Sequence, residues 1–406
     1  MFSYGQECNG MLTYNIRDIS GKKTEFIYES IKNDIRSGEL KAGEKLPSKR
    51  SFAEHLGISV ITVENAYAML EEEGYIESHP RSGFYVRKLN LLSEFGESVE
   101  AGMADYQRRT LYDSTGEKKS LGRSSKPVSD QYEGTEMSRL PEETTYRYGD
   151  SSRIPQGMVK ILRQLLSDRP EILLEKPPHM GCAVLRNALA DYLRRYRGMR
   201  VRPANIVIGS GAEYLYGMLV QLFGRDRIYG IEYPSYEKIE QVYLSNGAQT
   251  EHLQMAQDGI SSEALSESKA NILHVSPYHS YPTGITASAS KRYEYLSWAG
   301  SRDGYLIEDD FDSEFAFLRK PIEPMFSMDR SGRVIYLNTF SKSLAPSIRV
   351  AYMVLPDRLM QKYAQNLGFY SCTVPVYDQY VLAEYIDSGA FERHLNRIRR
   401  LIYSSR

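Results

Sequence analysis

From residue 205 to the end of the chain, six short apolar runs recur between helical stretches, at 206–208, 227–231, 271–275, 304–307, 333–337 and 350–354. Strands separated by helices cannot close as hairpins, so this spacing predicts an α/β fold with a mostly parallel sheet. In such sheets ligands collect at the carboxyl ends of the strands. The chemistry-bearing residues fall there: Gly209-Ser210-Gly211-Ala212 after the first run, Tyr281-Pro282-Thr283-Gly284 shortly after the third, Glu308-Asp309-Asp310 after the fourth, and Thr339 to Lys342 after the fifth.

Size and composition narrow the class. At 406 residues, with 41% hydrophobic and 25% charged residues and a formal net charge of −1, the chain reads as a water-soluble protein of two or three domains. No membrane segment is expected. The central apolar stretch 214–223 is about half a span and lies between Glu213 and Arg225. Residues 1–14 are polar, which predicts no cleavable leader. Cys8, Cys182 and Cys372 are too scattered for a disulfide framework or a metal site, so a reducing cytoplasm is the expected location and no metal is expected.

Texture divides the chain into residues 11–90, a polar segment 91–145, and residues 146–406. The stretch DSTGEKKSLGRSSKPVSD has almost nothing to bury and reads as a flexible linker. In the first region, residues 24–37 place Phe26, Ile27, Ile31 and Ile35 near helical spacing, and Gly38 stops that helix. A second helix starts at the Ser48 cap, turns at Gly57, and a third is capped by Ser59 with Val63, Ala66, Tyr67 and Leu70 on one face. YIESHPRSGFYV then reads as a β-hairpin. A helix-turn-helix followed by a hairpin is a winged helix.

The run Leu46-Pro47-Ser48, Arg50, Leu56-Gly57-Ile58-Ser59, Thr62-Val63, Ala66-Tyr67, Leu70, Gly74-Tyr75 and Ser82-Gly83 resembles the DNA-binding domain of the GntR family. That resemblance implies a face for a double-stranded DNA operator made of Ser48, Lys49, Arg50, Ser59, Thr62, Asn65, Arg81, Ser82 and Gly83. Hydroxyls and amides at helix starts suit phosphate, and arginine suits guanine edges. Residues 1–90 hold 12 Lys and Arg against 13 Asp and Glu, so only a local patch, Lys41, Lys45, Lys49, Arg50, Arg81, Arg87 and Lys88, can meet the backbone charge. Where the family usually has arginine after the serine of the third helix, this chain has Val60.

The strand-end residues of the last region resemble those of fold-type I aminotransferases, which use pyridoxal 5′-phosphate (PLP). Lys342 matches the lysine that forms a Schiff base with PLP, a role that a lysine with lowered pKa performs well. The resemblance places Arg349, Thr339 and Ser341 on the cofactor phosphate, with the amides of Gly211 and Ala212 at a helix start. Asp309 matches the aspartate that keeps the pyridine nitrogen protonated, Tyr236 the aromatic that stacks on the ring, and Tyr281 stands where the typical enzymes have asparagine. Phe311 takes the place of a frequent tyrosine donor to the cofactor hydroxyl.

Ser276-Pro277-Tyr278-His279-Ser280-Tyr281-Pro282-Thr283-Gly284 and Glu308-Asp309-Asp310-Phe311-Asp312-Ser313-Glu314-Phe315 resemble the MocR subfamily, in which a winged helix is joined by a linker to an aminotransferase-like domain. The resemblance implies a PLP-dependent transcriptional regulator, with an amine, amino acid or PLP as effector and head-to-tail homodimers. The alternative is a working aminotransferase with an accessory DNA-binding domain. Residues 392–400 resemble the start of that family's last long helix, so the C-terminal small domain is expected to be incomplete, its carboxylate-binding arginine absent, and complete transamination slight or nil.

Overall fold

The computed structural model describes residues 12–14, 16, 22–89, 155–315 and 322–404. The linker expected at 91–145 lies outside the described residues.

The first region opens with α1 (Lys23–Ser37), α2 (Lys49–Leu56) and α3 (Val60–Glu72), followed by β1 (Ile76–His79) and β2 (Gly83–Val86). Ser48 and Ser59 cap α2 and α3, accepting from the amides of Ser51 and Thr62 at 3.2 Å. Gly57, left-handed at φ 63°, ends α2. β1 and β2 pair antiparallel from Ile76 with Val86 to His79 with Gly83. One apolar core joins the elements through Ile27, Ile31, Phe52, Val63, Tyr67, Leu70 and Val86. The winged helix expected from the sequence is present.

The second part begins with α4 (Gln156–Asp168) and α5 (Ala183–Tyr196), then β3 (Ile206–Gly209), α6 (Ala212–Phe223), β4 (Ile228–Tyr233) and α7 (Glu237–Ser245). It continues through β5 (Gln249–Ala256), β6 (Gly259–Ile260), α8 (Ser262–Glu267), β7 (Ile272–Val275), α9 (Ala289–Ser301) and β8 (Tyr305–Asp309). Last come α10 (Met325–Met328), β9 (Val334–Thr339), β10 (Ala351–Val354), α11 (Asp357–Leu367), α12 (Val376–Asp387) and α13 (Ala390–Ser404). The sheet order is β3-β10-β9-β8-β7-β4-β5-β6. Strands β9, β8, β7, β4 and β5 run parallel, β10 is antiparallel to both β3 and β9, and β6 is antiparallel to β5.

Alternation along the strands fills both faces. Ile272, Ile307, Ile335 and Leu337 meet α6, α7 and α11 on one side, while Leu273, Val275, Leu306 and Val334 meet α8, α9 and α10 on the other. All six strands expected from the sequence are found. The sequence showed no sign of β5 and β6, because β5 reads QTEHLQMA, a half-exposed strand flanked only by the two-residue β6 and without an apolar run.

Candidate cofactor site and DNA face

Asp309 closes β8 and is 3% exposed. Its Oδ2 accepts from the Tyr216 hydroxyl on α6 and lies 3.3 Å from His274 Nε2 on β7, while Tyr243 Oη lies 2.6 Å from His274 Nδ1. Among the described residues its Oδ1 is buried without a hydrogen-bond partner. Its neighbour Asp310 is bound elsewhere, by Arg197 Nη2 at 2.7 Å, Tyr336 Oη at 2.5 Å and Ser313 Oγ at 2.8 Å. The two adjacent acids therefore have separate tasks: Asp310 takes three scaffold donors on its Oδ2, and Asp309 keeps its Oδ1 for something else.

Sequence reasoning missed Tyr216, His274 and Tyr243. Two of them had a signal. Tyr216 lies one helical turn beyond Ala212, and His274 pairs in register with Ile307, two residues before Asp309 on the same strand face.

Lys342 follows β9. Its side chain is exposed by area, yet surrounding atoms desolvate it enough to lower its pKa, against the opposing charges of Asp312 and Asp309. Its Nζ stands 4.0 Å from the ring centre of Phe311, so the residue expected only as a missing donor is the surface over which the amine sits. Asp312 Oδ2 in turn lies 2.7 Å from His279 Nδ1.

The expected phosphate group of residues comes together at the ends of β3, β9 and β10. Arg349 Nη2 is 2.5 Å from Glu213 Oε2. Gly211 has φ 103°, and a Cβ there would strike the Arg349 guanidinium, so this close approach requires glycine. The Gly211 amide donates to the Gly209 carbonyl at 2.9 Å, which leaves Ala212 and the rest of the first turn of α6 as the amide donors of this loop. Thr339 Oγ1 and Ser341 Oγ are 3.2 Å apart, and the Ser341 amide donates to Thr339 Oγ1 at 3.3 Å. Tyr236, which precedes α7, meets Tyr281 edge-on with ring centres 6.0 Å apart. Behind them Ser280 Oγ donates to the buried Glu232 at 2.7 Å. Burial pushes the Glu232 carboxyl up to about 7, opposed by Ser280 and Ser276 and assisted by the charge of Asp309.

In the winged helix the expected DNA residues divide into two groups. Ser48, Ser59 and Thr62 serve the helix caps, with Ser59 Oγ and Thr62 Oγ1 2.8 Å apart. Lys49 Nζ is 2.9 Å from Glu64 Oε1, and Ser82 Oγ is 2.6 Å from Tyr85 Oη. Arg50 and Arg81 are exposed, Asn65 is half-buried, and Arg81 (φ 65°) with Gly83 (φ 117°) forms the sharp tip of the wing. Val60 and Ile61, at the head of α3, are 41% and 67% exposed. Apolar side chains at the tip of a recognition helix suit thymine methyl groups better than phosphate.

The residues present fit PLP. A buried aspartate oxygen without a partner suits a protonated pyridine nitrogen, a glycine cradle beside an arginine and a helix start suits a phosphate, and a desolvated lysine suits an aldehyde. Among the described residues no cluster of His, Cys, Asp or Glu is arranged to hold a metal ion, and no helix is long and apolar enough to cross a membrane.

Comparison with known proteins agrees with both parts of the fold. Residues 23–86 match the family of bacterial regulatory proteins, gntR family, and residues 144–406 match aminotransferase class I and II. The chain is 33% identical over 388 residues to YdeL, an HTH-type transcriptional regulator of Bacillus subtilis, covering 94% of this chain and 76% of YdeL. It is 30% identical over 388 residues to MocR, a probable rhizopine catabolism regulatory protein of Rhizobium meliloti, covering 92% and 74%. Among solved structures, the kynurenine aminotransferase of Pyrococcus horikoshii, determined in complex with PMP, aligns with a TM-score of 0.54 and 27% identity. That alignment covers 60% of this chain and 63% of the other. The chain belongs to the MocR-type helix-turn-helix transcriptional regulators of the gntR family, whose C-terminal part is a class I and II, fold-type I aminotransferase-like domain.

Proposed function

We propose that this regulator binds PLP through Lys342 and Asp309, senses an amine or amino acid (or PLP itself) at that site, and binds a double-stranded operator as a cytoplasmic homodimer. The observation that carries this is Asp309, with one oxygen fixed by Tyr216 and His274 and the other buried without a partner among the described residues. PLP supplies an aldehyde that takes up amines covalently and a ring that draws electrons from them. The chain's own residues do the rest. Tyr216 and His274 orient the carboxylate that would hold a proton on the pyridine nitrogen, and desolvation keeps the Lys342 amine nucleophilic at lower pH than an exposed lysine. Arg349, Thr339, Ser341 and the first turn of α6 would take the phosphate, with Glu213 as the counter-charge that orders Arg349 beforehand. Tyr236 and Tyr281 would bound the ring.

On the DNA side, Arg50, the wing from Arg81 to Gly83, and the cap residues Ser48, Ser59 and Thr62 meet the backbone, with Lys49 and Asn65 beside them. Val60 and Ile61 supply apolar contact in the major groove. A head-to-tail dimer would present two such modules to repeated half-sites.

The test is an absorbance scan of PLP-treated protein, with Lys342→Ala beside it. Wild type is expected to show a visible band from lysine-bound cofactor that Lys342→Ala lacks. Absence of the band from both defeats the cofactor assignment.

A further inference from the structure

We propose that the winged helix is held on the aminotransferase-like part by a sealed ionic latch, and that a ligand in the cofactor site acts on the DNA-binding helix through it. This rests on the sensing function proposed above. The latch joins five charged groups. From the winged helix come Lys32 and Arg36 on α1 and Glu73 just past α3; from the other part come Arg292 on α9 and Glu323 before α10.

Lys32 Nζ lies 2.9 Å from Glu323 Oε2 and 3.4 Å from Glu73 Oε2. Arg36 Nη1 lies 3.5 Å from Glu323, and Arg292 Nη2 lies 3.6 Å from Glu73. Tyr28 Oη donates to Glu73 Oε1 at 2.5 Å, and Arg292 Nη1 donates to the Glu323 carbonyl at 2.7 Å. The side chains of Lys32, Glu73 and Arg292 are 3%, 4% and 1% exposed, so each charge depends on partners contributed by the other part of the chain. Tyr75 and Tyr293 line the same cluster.

The latch sits at the junction of two functional elements. The main-chain carbonyl of Glu73, at the end of α3, accepts from the amide of Ala289, the first residue of α9, at 2.8 Å. Ala289 is fully buried and belongs to the winged-helix core. A Cβ on Gly74 would lie 3.1 Å from Ser288 Cβ, so the two surfaces are in close contact. Tyr281 lies eight residues before Ala289, in a segment stiffened by Ser280 N–H to Ile285 O at 2.8 Å and Ala287 N–H to Pro277 O at 2.7 Å. Displacement of Tyr281 is therefore carried to the start of α9 and to the far end of α3. The reading end of α3, with Val60 and Ile61, stays exposed in the docked arrangement. The latch thus sets the orientation of the reading head without covering it.

The test uses the full chain with Arg36→Glu and, separately, Glu323→Lys, both charge reversals at positions 24% exposed. Hydrogen exchange is followed in peptides covering 286–292, with 334–339 as an internal control for folding. PLP is the probe ligand, and operator affinity is measured with and without it. Each single variant is expected to exchange at least about tenfold faster over 286–292, with the control unchanged. The double variant restores an opposite-charge pair between positions 36 and 323 but leaves Lys32 without its 2.9 Å partner, so it should exchange more slowly than Glu323→Lys alone without reaching wild type; an unfolded protein would not recover. The effect of PLP on operator affinity should shrink below about twofold in the single variants. Unchanged exchange overturns the latch. Faster exchange with the PLP effect intact overturns the transmission alone. A wild type whose operator affinity ignores PLP overturns the transmission; if it also lacks the visible band, the sensing function falls with it.

Discussion

Glu232→Gln tests the electrostatics of the site in a way independent of any ligand. Glu232 is the next-to-last residue of β4, 5% exposed, and accepts the Ser280 hydroxyl at 2.7 Å. Burial raises its carboxyl from the ordinary 4.5 to about 7 in the folded chain. Below 4.5 both folded and unfolded chains hold the proton and the group is neutral to stability. Between 4.5 and 7 the unfolded chain releases its proton first, so wild-type stability falls with rising pH; above 7 the full penalty remains, about 3 kcal/mol at most. Glutamine cannot ionise and keeps an oxygen for Ser280, although its amide group faces the Ser276 backbone that stabilises the carboxylate, so a net gain of about 1–3 kcal/mol above pH 7 is expected. Denaturant unfolding of wild type and variant at pH 8.5, 7 and 5 measures it. The variant should be more stable at pH 8.5, with the difference shrinking toward pH 5. Glu308 and Glu314, whose carboxyls burial also pushes up to about 7, are common to both proteins and cancel. An equal difference at all three values, or destabilisation at pH 8.5, refutes the reasoning.

Three further outcomes are expected. Asp309→Asn should lower PLP affinity by about tenfold or more, read by fluorescence titration, because an amide cannot hold a positive pyridinium as a carboxylate does. Arg50→Ala should weaken operator binding in a mobility-shift titration and leave PLP binding unchanged, while wild-type affinity falls steeply with salt as phosphate contacts release counterions. Ile61→Ala should reduce discrimination between operators with and without thymine at the contacted step by about 1 kcal/mol, with little change in the salt slope.

Much of this molecule was legible before any coordinates. The helix caps at Ser48 and Ser59, the six apolar strands and the strand-end loops depend on local rules: a side-chain oxygen before a helix, β-prone runs between helices, glycine where the backbone turns left-handed. Those rules act over a few residues, so the sequence alone determined the winged helix, the α/β class and the strand-end places of Asp309 and Lys342, while the resemblance to aminotransferases supplied the roles expected of them and of Arg349. It did not determine which groups those residues meet. Tyr216 and His274 become partners of Asp309, and Tyr243 a partner of His274, through sheet register and helix packing across up to 93 residues of chain. Strand β5 escaped notice because its polar sequence takes its place by pairing with β4, whose neighbour β7 comes later in the chain. The ionic latch was least visible of all. Nothing in the local sequence sets Lys32, Glu73, Arg292 and Glu323 apart, and only tertiary structure brings segments up to 291 positions apart close enough to pair. Desolvation and long-range pairing depend on the whole fold, and the local sequence carries no record of them.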